Sequence, residues 1–434
     1  MAPGLDLDEY RREAEAFLEA IDREYYQHLA GHKAELEVGE IYARHARLFS
    51  IAAVEQLREL AADGGGEEGR RRRYLLHFAV DGLLGEATKA EAEEEARLEA
   101  SLELTVDGRP IPYRQVQVEQ ANEPESGRRA ALELARNELL EERLNPLHRA
   151  ALDRMHAICA ELGWPSYAGA YAELRGLDLE ALAGSATVFL EATEEGYAPR
   201  VDPRLADAGL PPLGELARAD IPRFFRAPGL DTGFAADDLV PAFAGTMAGL
   251  GLDFEAQKTI HLDTEPRPTK SPRAFCSTPR VPAEVYLVVS PVGGRDDFAA
   301  LFHEGGHAEH YANTDPGLPF EFRHLGDNGV TESFAFLFEH LTEDPGWLRA
   351  RLPAGDPDEI AAQARAARLL LVRRYCAKLA YELELHGVGA ELERMRERYV
   401  SMLEGATRVT WPAQTWLADV DGGFYVACYL RAWA

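Results

Sequence analysis

His303-Glu304-Gly305-Gly306-His307 is where this chain of 434 residues carries its chemistry. On a helix, histidines at i and i+4 fall on one face, a turn apart, where two imidazoles can share a zinc ion. Glu304 between them can take a proton from the water that such an ion activates. A tetrahedral catalytic zinc needs a third protein ligand and one open position. The extended string His-Glu-x-x-His-x-x-Gly-x-x-His would require Gly and His where this chain has His310 and Asn313, so that arrangement is excluded. The other arrangement draws a Glu from a later helix. Residues 329–339 read as that helix, with Glu332 near its start as the expected third ligand. Glu339, Asp327 and Asp263 are the acids expected to orient the histidines from behind.

The elements that must hold these groups follow from periodicity. The apolar run Phe298-Ala299-Ala300-Leu301-Phe302 leads into the motif and reads as the first turns of its helix. Shortly before it, Val285-Tyr286-Leu287-Val288-Val289 is β-branched and apolar, a strand candidate. Were that strand an edge, an extended peptide could add to it by backbone hydrogen bonds; otherwise it is a core strand. The turn-rich residues 313–327 give the chain room to fold back and bring Glu332 to the histidines. Upstream, residues 5–62 show amphipathic helical periodicity. Asp63 to Gly69 reads as a glycine-rich loop, and Arg70-Arg71-Arg72-Arg73 as a solvated basic turn opening the next helix. Leu102 to Val106 alternates and ends in Asp107-Gly108, a hairpin signal. Helical periodicity returns from Ser126 to about Leu182, and residues 203–212 read as a Pro- and Gly-containing joint. Helix follows again to Gly251 and from Pro357 to about Gly405.

Bulk composition narrows the classes. Apolar residues are 46% and charged residues 28%, which is ordinary for a globular protein. There are 74 acidic against 46 basic residues, a net charge of −28, and that excess excludes a nucleic-acid or anionic-membrane surface. Cys159, Cys276, Cys376 and Cys428 form no CxxC pair and read as free thiols in a reducing compartment. Residues 1–9 show no basic-then-apolar leader, and no apolar run approaches the roughly 20 residues of a membrane span. A cytoplasmic location is expected.

Phe302-His303-Glu304-Gly305-Gly306-His307-Ala308-Glu309-His310 resembles the active-site string of the thimet oligopeptidase and oligoendopeptidase F family of zinc metallopeptidases. The interval to Glu332 fits that family, as does the block Arg273-Ala274-Phe275-Cys276 ahead of the strand candidate. Phe424-Tyr425-Val426-Ala427-Cys428-Tyr429 is similar to the Phe-Tyr-Val-x-x-Tyr string of the oligoendopeptidase F branch. The resemblance spans about residues 125–430 and is weak before residue 120. It implies a mainly α fold with two helical lobes around a deep substrate channel and a small β element next to the zinc-binding helix. It implies one zinc ion per chain on His303, His307 and Glu332, with Glu304 as general base. Tyr425, Tyr429 or both are implied as hydroxyl donors to the oxyanion. The implied activity is hydrolysis of peptide bonds in short oligopeptides. Expected organisation is an N-terminal helical region over 1–120, with a β-hairpin near its end, and a catalytic domain over 121–434 with the zinc site within 260–434.

Three departures bear on activity. The family carries a bulky residue at Gly305, and two adjacent glycines inside a helix cost about 1 kcal/mol each unless close packing requires them. The family's His shortly before the C-terminal tyrosines has no counterpart, since Trp416 to Phe424 contains none. The chain ends at Trp433-Ala434 where family members continue in helix, which reads as a short variant or a truncation. Two rival functions share the metal site. One is a metallocarboxypeptidase, with Arg431 or Lys270 facing the metal to receive a terminal carboxylate. The other is an inactive zinc-binding scaffold that holds peptides.

Overall fold

The computed structural model describes residues 5–62, 64–353 and 355–434. Residues 1–4, read above for a leader, and Asp63 of the glycine-rich loop lie outside the described residues. The fold is mainly α. The elements that frame the site are, in chain order, α1 (Leu7–Leu29), α2 (Gly66–Ser101), the strands β1 (Glu103–Val106) and β2 (Arg109–Pro112), α3 (Leu179–Asp207), α4 (Ala236–Gly249), β3 (Ile260–Asp263), β4 (Phe275–Arg280), β5 (Glu284–Val288), α5 (Arg295–Ala312), α6 (Asn328–Leu341), α7 (Pro357–Leu385) and α8 (Val426–Trp433). Among the described residues no helix is long and apolar enough to cross a membrane.

Local chemistry explains most boundaries. Asp6 caps α1 by accepting from the Asp8 and Glu9 amides, and Asp327 caps α6 by accepting from Gly329. β1 and β2 pair antiparallel around Asp107-Gly108, whose φ values of 51° and 73° supply the two left-handed residues of a tight hairpin turn. Two boundaries depart from the periodicity reading. α2 begins at Gly66, so Glu67, Glu68 and Gly69 lie in helix and not in a loop. Acidic residues in a first turn favour this by meeting the helix dipole, and Glu68 also binds Arg71 at 3.0 Å. α3 continues through Pro199 and Pro203 to Asp207, so the joint begins later than its prolines suggest.

The three-stranded sheet has the order β3-β5-β4, with β3 parallel and β4 antiparallel to β5. The run 285–289 therefore forms the central strand, with β3 and β4 as the two edge strands. Strand order is set by which partners the tertiary fold brings alongside, and the alternation of one strand carries no information on it. A core of Phe234, Leu239, Phe243, Val285, Leu287, Phe298, Phe302 and Trp347 fixes the sheet against α4 and α5. A second core joins α1 residues Tyr10, Ala14 and Phe17 to Leu75, Phe78, Tyr167, Phe424 and Leu430. The candidate site lies where these two cores meet.

Against Phe424, in the turn before α8, sits a pair of histidines, one buried and one half-buried. His386, at the C-terminal end of α7, is 2% exposed and its Nδ1 lies 2.8 Å from His156 Nε2, with Tyr167 stacked at 4.4 Å. Burial, reinforced by His156, pushes the His386 pKa down to about 3. The folded chain thus keeps His386 neutral at pH values where the unfolded chain, titrating near 6.5, takes up a proton. Stability is full above about pH 6.5 and is lost as pH falls toward 3, by about 1.4 kcal/mol per pH unit for this proton. Urea unfolding between pH 7 and 4 is expected to show this slope, and His386→Phe is expected to flatten it. An identical slope in the variant would remove His386 as the cause.

Candidate metal centre

α5 presents two faces. Phe298, Leu301 and Phe302 enter the core, where Phe302 packs edge-on against Phe243 and Trp347 at 5.2 and 5.1 Å. His303, Glu304 and His307 lie on the other side, partly open to a cleft. Gly305 and Gly306 explain themselves by packing. A Cβ on Gly305 would stand 2.4 Å from the Phe243 ring, and one on Gly306 would stand 2.6 Å from the Phe334 carbonyl oxygen and 2.7 Å from Ala335 Cα. Bare backbone at Gly306 lets α6 approach closely enough for Glu332 to reach the histidines. The helix-propensity cost expected for the glycine pair is thus offset by this contact. Gly306→Ala is expected to destabilise the protein by about 1–3 kcal/mol or more, because backbone has to move, and to weaken zinc binding as Glu332 withdraws. Urea unfolding together with zinc titration checks both; wild-type values would show that the close approach is dispensable.

His303, His307 and Glu332 offer one ligand atom each, all within 4.8 Å of one another. Their orientation is specific. His303 Nδ1 is 2.8 Å from Glu339 Oε2, and His307 Nδ1 is 2.7 Å from Thr331 Oγ1. Both Nε2 atoms are thereby left facing Glu332, at 3.6 Å from Oε2 and 3.7 Å from Oε1. Glu332 is 3% exposed and its Oε2 is buried with no hydrogen-bond partner, while Oε1 accepts from the Tyr425 hydroxyl at 2.6 Å. A buried carboxylate oxygen without a donor is costly. Two imidazole nitrogens and that oxygen, converging with their outer atoms already tied, are the donor set of a zinc site with a position to spare. The residues fit the ion.

Electrostatics follow the same logic. Burial, then the charge of His303, pushes His307 down to about 3, so its imidazole is neutral. For His303 burial works downward, but the Glu339 hydrogen bond with the charges of Glu339, Glu304 and Glu332 outweighs it and the pKa rises. Burial pushes Glu304 up to about 7, against the opposing pull of His303 and the Cys276 backbone amide. Burial and the Glu332 charge push both tyrosine hydroxyls far above their ordinary range, so Tyr425 and Tyr429 stay protonated donors.

The cleft, about 360 Å³ in volume, is lined by Glu304, His307, Tyr311 and Tyr425, by the start of β4 with Cys276, and by Asp22, Tyr25 and Tyr26 of α1. The two tyrosines of α8 differ. The Tyr425 hydroxyl is committed to Glu332, whereas Tyr429 stacks on Tyr375 at 5.2 Å and its hydroxyl has no hydrogen-bond partner among the described residues. The turn that delivers them is fixed by Gly423, with φ 61°, whose amide donates to the Tyr167 hydroxyl at 2.9 Å.

Other acids and cations sit elsewhere than expected. Glu339 does hold His303, but Asp327 is engaged by Arg431 at 2.6 Å and Asp263 by Lys270 at 3.0 Å and Arg267 at 2.6 Å. Those same pairs take Arg431 and Lys270 away from the metal centre, so neither can receive a substrate carboxylate there. Sequence distance hides the Arg431–Asp327 pair, while Asp263 is met by cations only four and seven residues further along the chain. Thr331 immediately precedes Glu332, but a threonine there carries no sequence signal of its bond to His307. Tyr311 was legible as the next i+4 position after His307. The α1 residues carried no local signal at all.

No protein-family model matches the sequence, and no curated protein matches it. Among solved structures the chain is similar to a provisionally named oligoendopeptidase F from Bacillus anthracis str. Ames, with a TM-score of 0.64 and 13% identity over 100% of this chain and 85% of that one. At such identity the likeness is one of fold: a mainly α architecture of the kind seen in that protein, with a small sheet beside the helix that carries the histidines.

Proposed function

We propose that this protein is a zinc-dependent peptidase that hydrolyses short oligopeptides. The observation that carries the reading is the convergence of His303 Nε2, His307 Nε2 and the donorless Glu332 Oε2, with Glu304 on the same helix facing a cleft. In this reading His303, His307 and Glu332 hold the ion, and Glu339 and Thr331 fix the tautomers of the two imidazoles. A zinc ion supplies Lewis acidity to water and to a peptide carbonyl. Glu304 accepts the proton of the attacking water and returns it to the leaving amine, a task suited to a carboxyl raised toward neutrality by burial. Tyr425 steadies Glu332. Tyr429, with its free hydroxyl, donates to the oxyanion, taking the role that a histidine ahead of these tyrosines holds in the resembling family. β4, at the edge of the sheet, lines the cleft beside the metal centre and is the wall along which an extended peptide lies.

The test is cleavage of a mixed library of quenched-fluorescent peptides by zinc-loaded protein. Cleavage is expected, and the product ends distinguish internal cuts from removal of C-terminal residues. Bound zinc without cleavage of any library peptide would replace the peptidase with a zinc-binding scaffold that holds peptides.

A further inference from the structure

A second polar cavity, about 290 Å³ in volume, adjoins the cleft. Leu29 near the end of α1 lines both, and the Ser271 amide donates to the Leu29 carbonyl at 2.7 Å, tying the loop that leads into β4 to α1. Three guanidinium groups, Arg114, Arg136 and Arg273, line this cavity against one carboxylate, Glu99. That balance is the reverse of the chain's, which has 74 acidic and 46 basic residues.

Arg136 is the informative member. Its Nη1 is buried with no hydrogen-bond partner, and among the described residues it enters no ion pair. The two most buried arginines, Arg129 and Arg373, each meet a carboxylate, Asp220 at 2.7 Å and Glu194 at 2.5 Å, while the buried Arg295 donates to the Phe225 carbonyl. The Tyr113 ring holds the Arg136 guanidinium at 5.4 Å. Arg273 is oriented by donating to Gln117 Oε1 at 3.1 Å, and Arg114 by donating to the Ala96 carbonyl at 3.1 Å, while Glu99 stands 3.8 Å from Arg114. A buried guanidinium nitrogen without an acceptor is costly, and an arriving anion relieves it. Planar guanidinium forks bind oxyanions with two parallel hydrogen bonds.

We propose that this cavity is an oxyanion site that receives the C-terminal carboxylate of a peptide lying in the cleft. Arg273 stands just before Phe275, which begins β4 and lines the cleft, so a chain extended along β4 reaches the arginines as it leaves the metal centre. The proposal rests on the peptidase reading for the identity of the ligand. A free oxyanion such as phosphate shares the required chemistry.

Binding separates the two without needing turnover. N-terminally fluorescein-labelled peptides with a free or an amidated C-terminus are titrated against zinc-loaded Glu304→Gln, followed by anisotropy. The free acid is expected to bind at least about tenfold more tightly than the amide, the value of a charge-assisted pair. Arg136→Gln, and separately the exposed Arg273→Gln, are expected to weaken the acid alone and bring the ratio near unity. Inorganic phosphate is expected to displace the acid and leave the amide bound. Equal binding of acid and amide, with phosphate raising the melting temperature only when Arg136 is present, would overturn the peptide carboxylate in favour of a free oxyanion. Equal binding with no phosphate effect would overturn the site. Acid-selective binding with no cleavage by the unmutated protein would sustain this inference and remove the peptidase reading instead.

Discussion

Glu304→Gln is expected to lower kcat for peptide hydrolysis by about 10²- to 10⁴-fold, the usual range for a positioned general base, while zinc content stays unchanged. Glu304 is outside the group of converging ligand atoms, so its loss does not open the metal site. Glutamine preserves the volume and the hydrogen bonding of the side chain, and α5 is held by its opposite, apolar face. The single function removed is proton acceptance. Burial is what places the Glu304 carboxyl near neutrality, where it can both take and return a proton. Rates on a cleaved library peptide, paired with metal analysis of the same sample, decide the matter. Turnover within tenfold of wild type at full zinc content would exclude Glu304 as the base. Lost zinc would mean that the residue holds the site together.

Glu332→Ala is expected to lose zinc, and hydrolysis with it. The substitution removes one of three ligands and leaves the buried Tyr425 hydroxyl without its acceptor. Behind the ligands the consequences are smaller. Losing an orienting partner costs about 10- to 100-fold in metal affinity, so Glu339→Gln and Thr331→Val are expected within that range and Glu332→Ala beyond it. Competition against a chelating dye gives all three affinities on one scale. If Glu332→Ala held zinc as tightly as Glu339→Gln, the third ligand would have to be sought elsewhere. The ordering also tests the geometry, because it requires both Nδ1 atoms to be tied and both Nε2 atoms to face the metal.

What the sequence by itself determined was whatever depends on chain-local geometry. Helical spacing placed His303 and His307 on one face, put Glu332 on the following helix, and carried Glu339 back to the same side two turns on. The two left-handed residues Asp107-Gly108 made a hairpin by their own conformational preference. The mainly α character followed from periodicity, which sums over many residues and survives individual errors.

Only the tertiary structure decided the rest, for reasons that local pattern cannot hold. Helix propensity counts Gly305 and Gly306 as costs, yet a Cβ at either would strike Phe243 or the backbone of α6. Asp327 and Asp263 have the same carboxylate as Glu339, but Arg431 arrives from the far end of the chain to claim Asp327, and the loop after β3 folds back to bring Lys270 onto Asp263. The apolar run at 285–289 is equally consistent with an edge or a centre, and two strands that both precede it in sequence, pairing on opposite sides, made it the centre. Similarly, the wall of the cleft comes from Asp22, Tyr25 and Tyr26, far from the histidines along the chain. The periodicity of α1 specifies a buried stripe but not what that stripe will face. Contacts made within one helix are encoded in spacing; contacts between distant segments depend on how whole surfaces fit, and that is fixed only when the chain has folded.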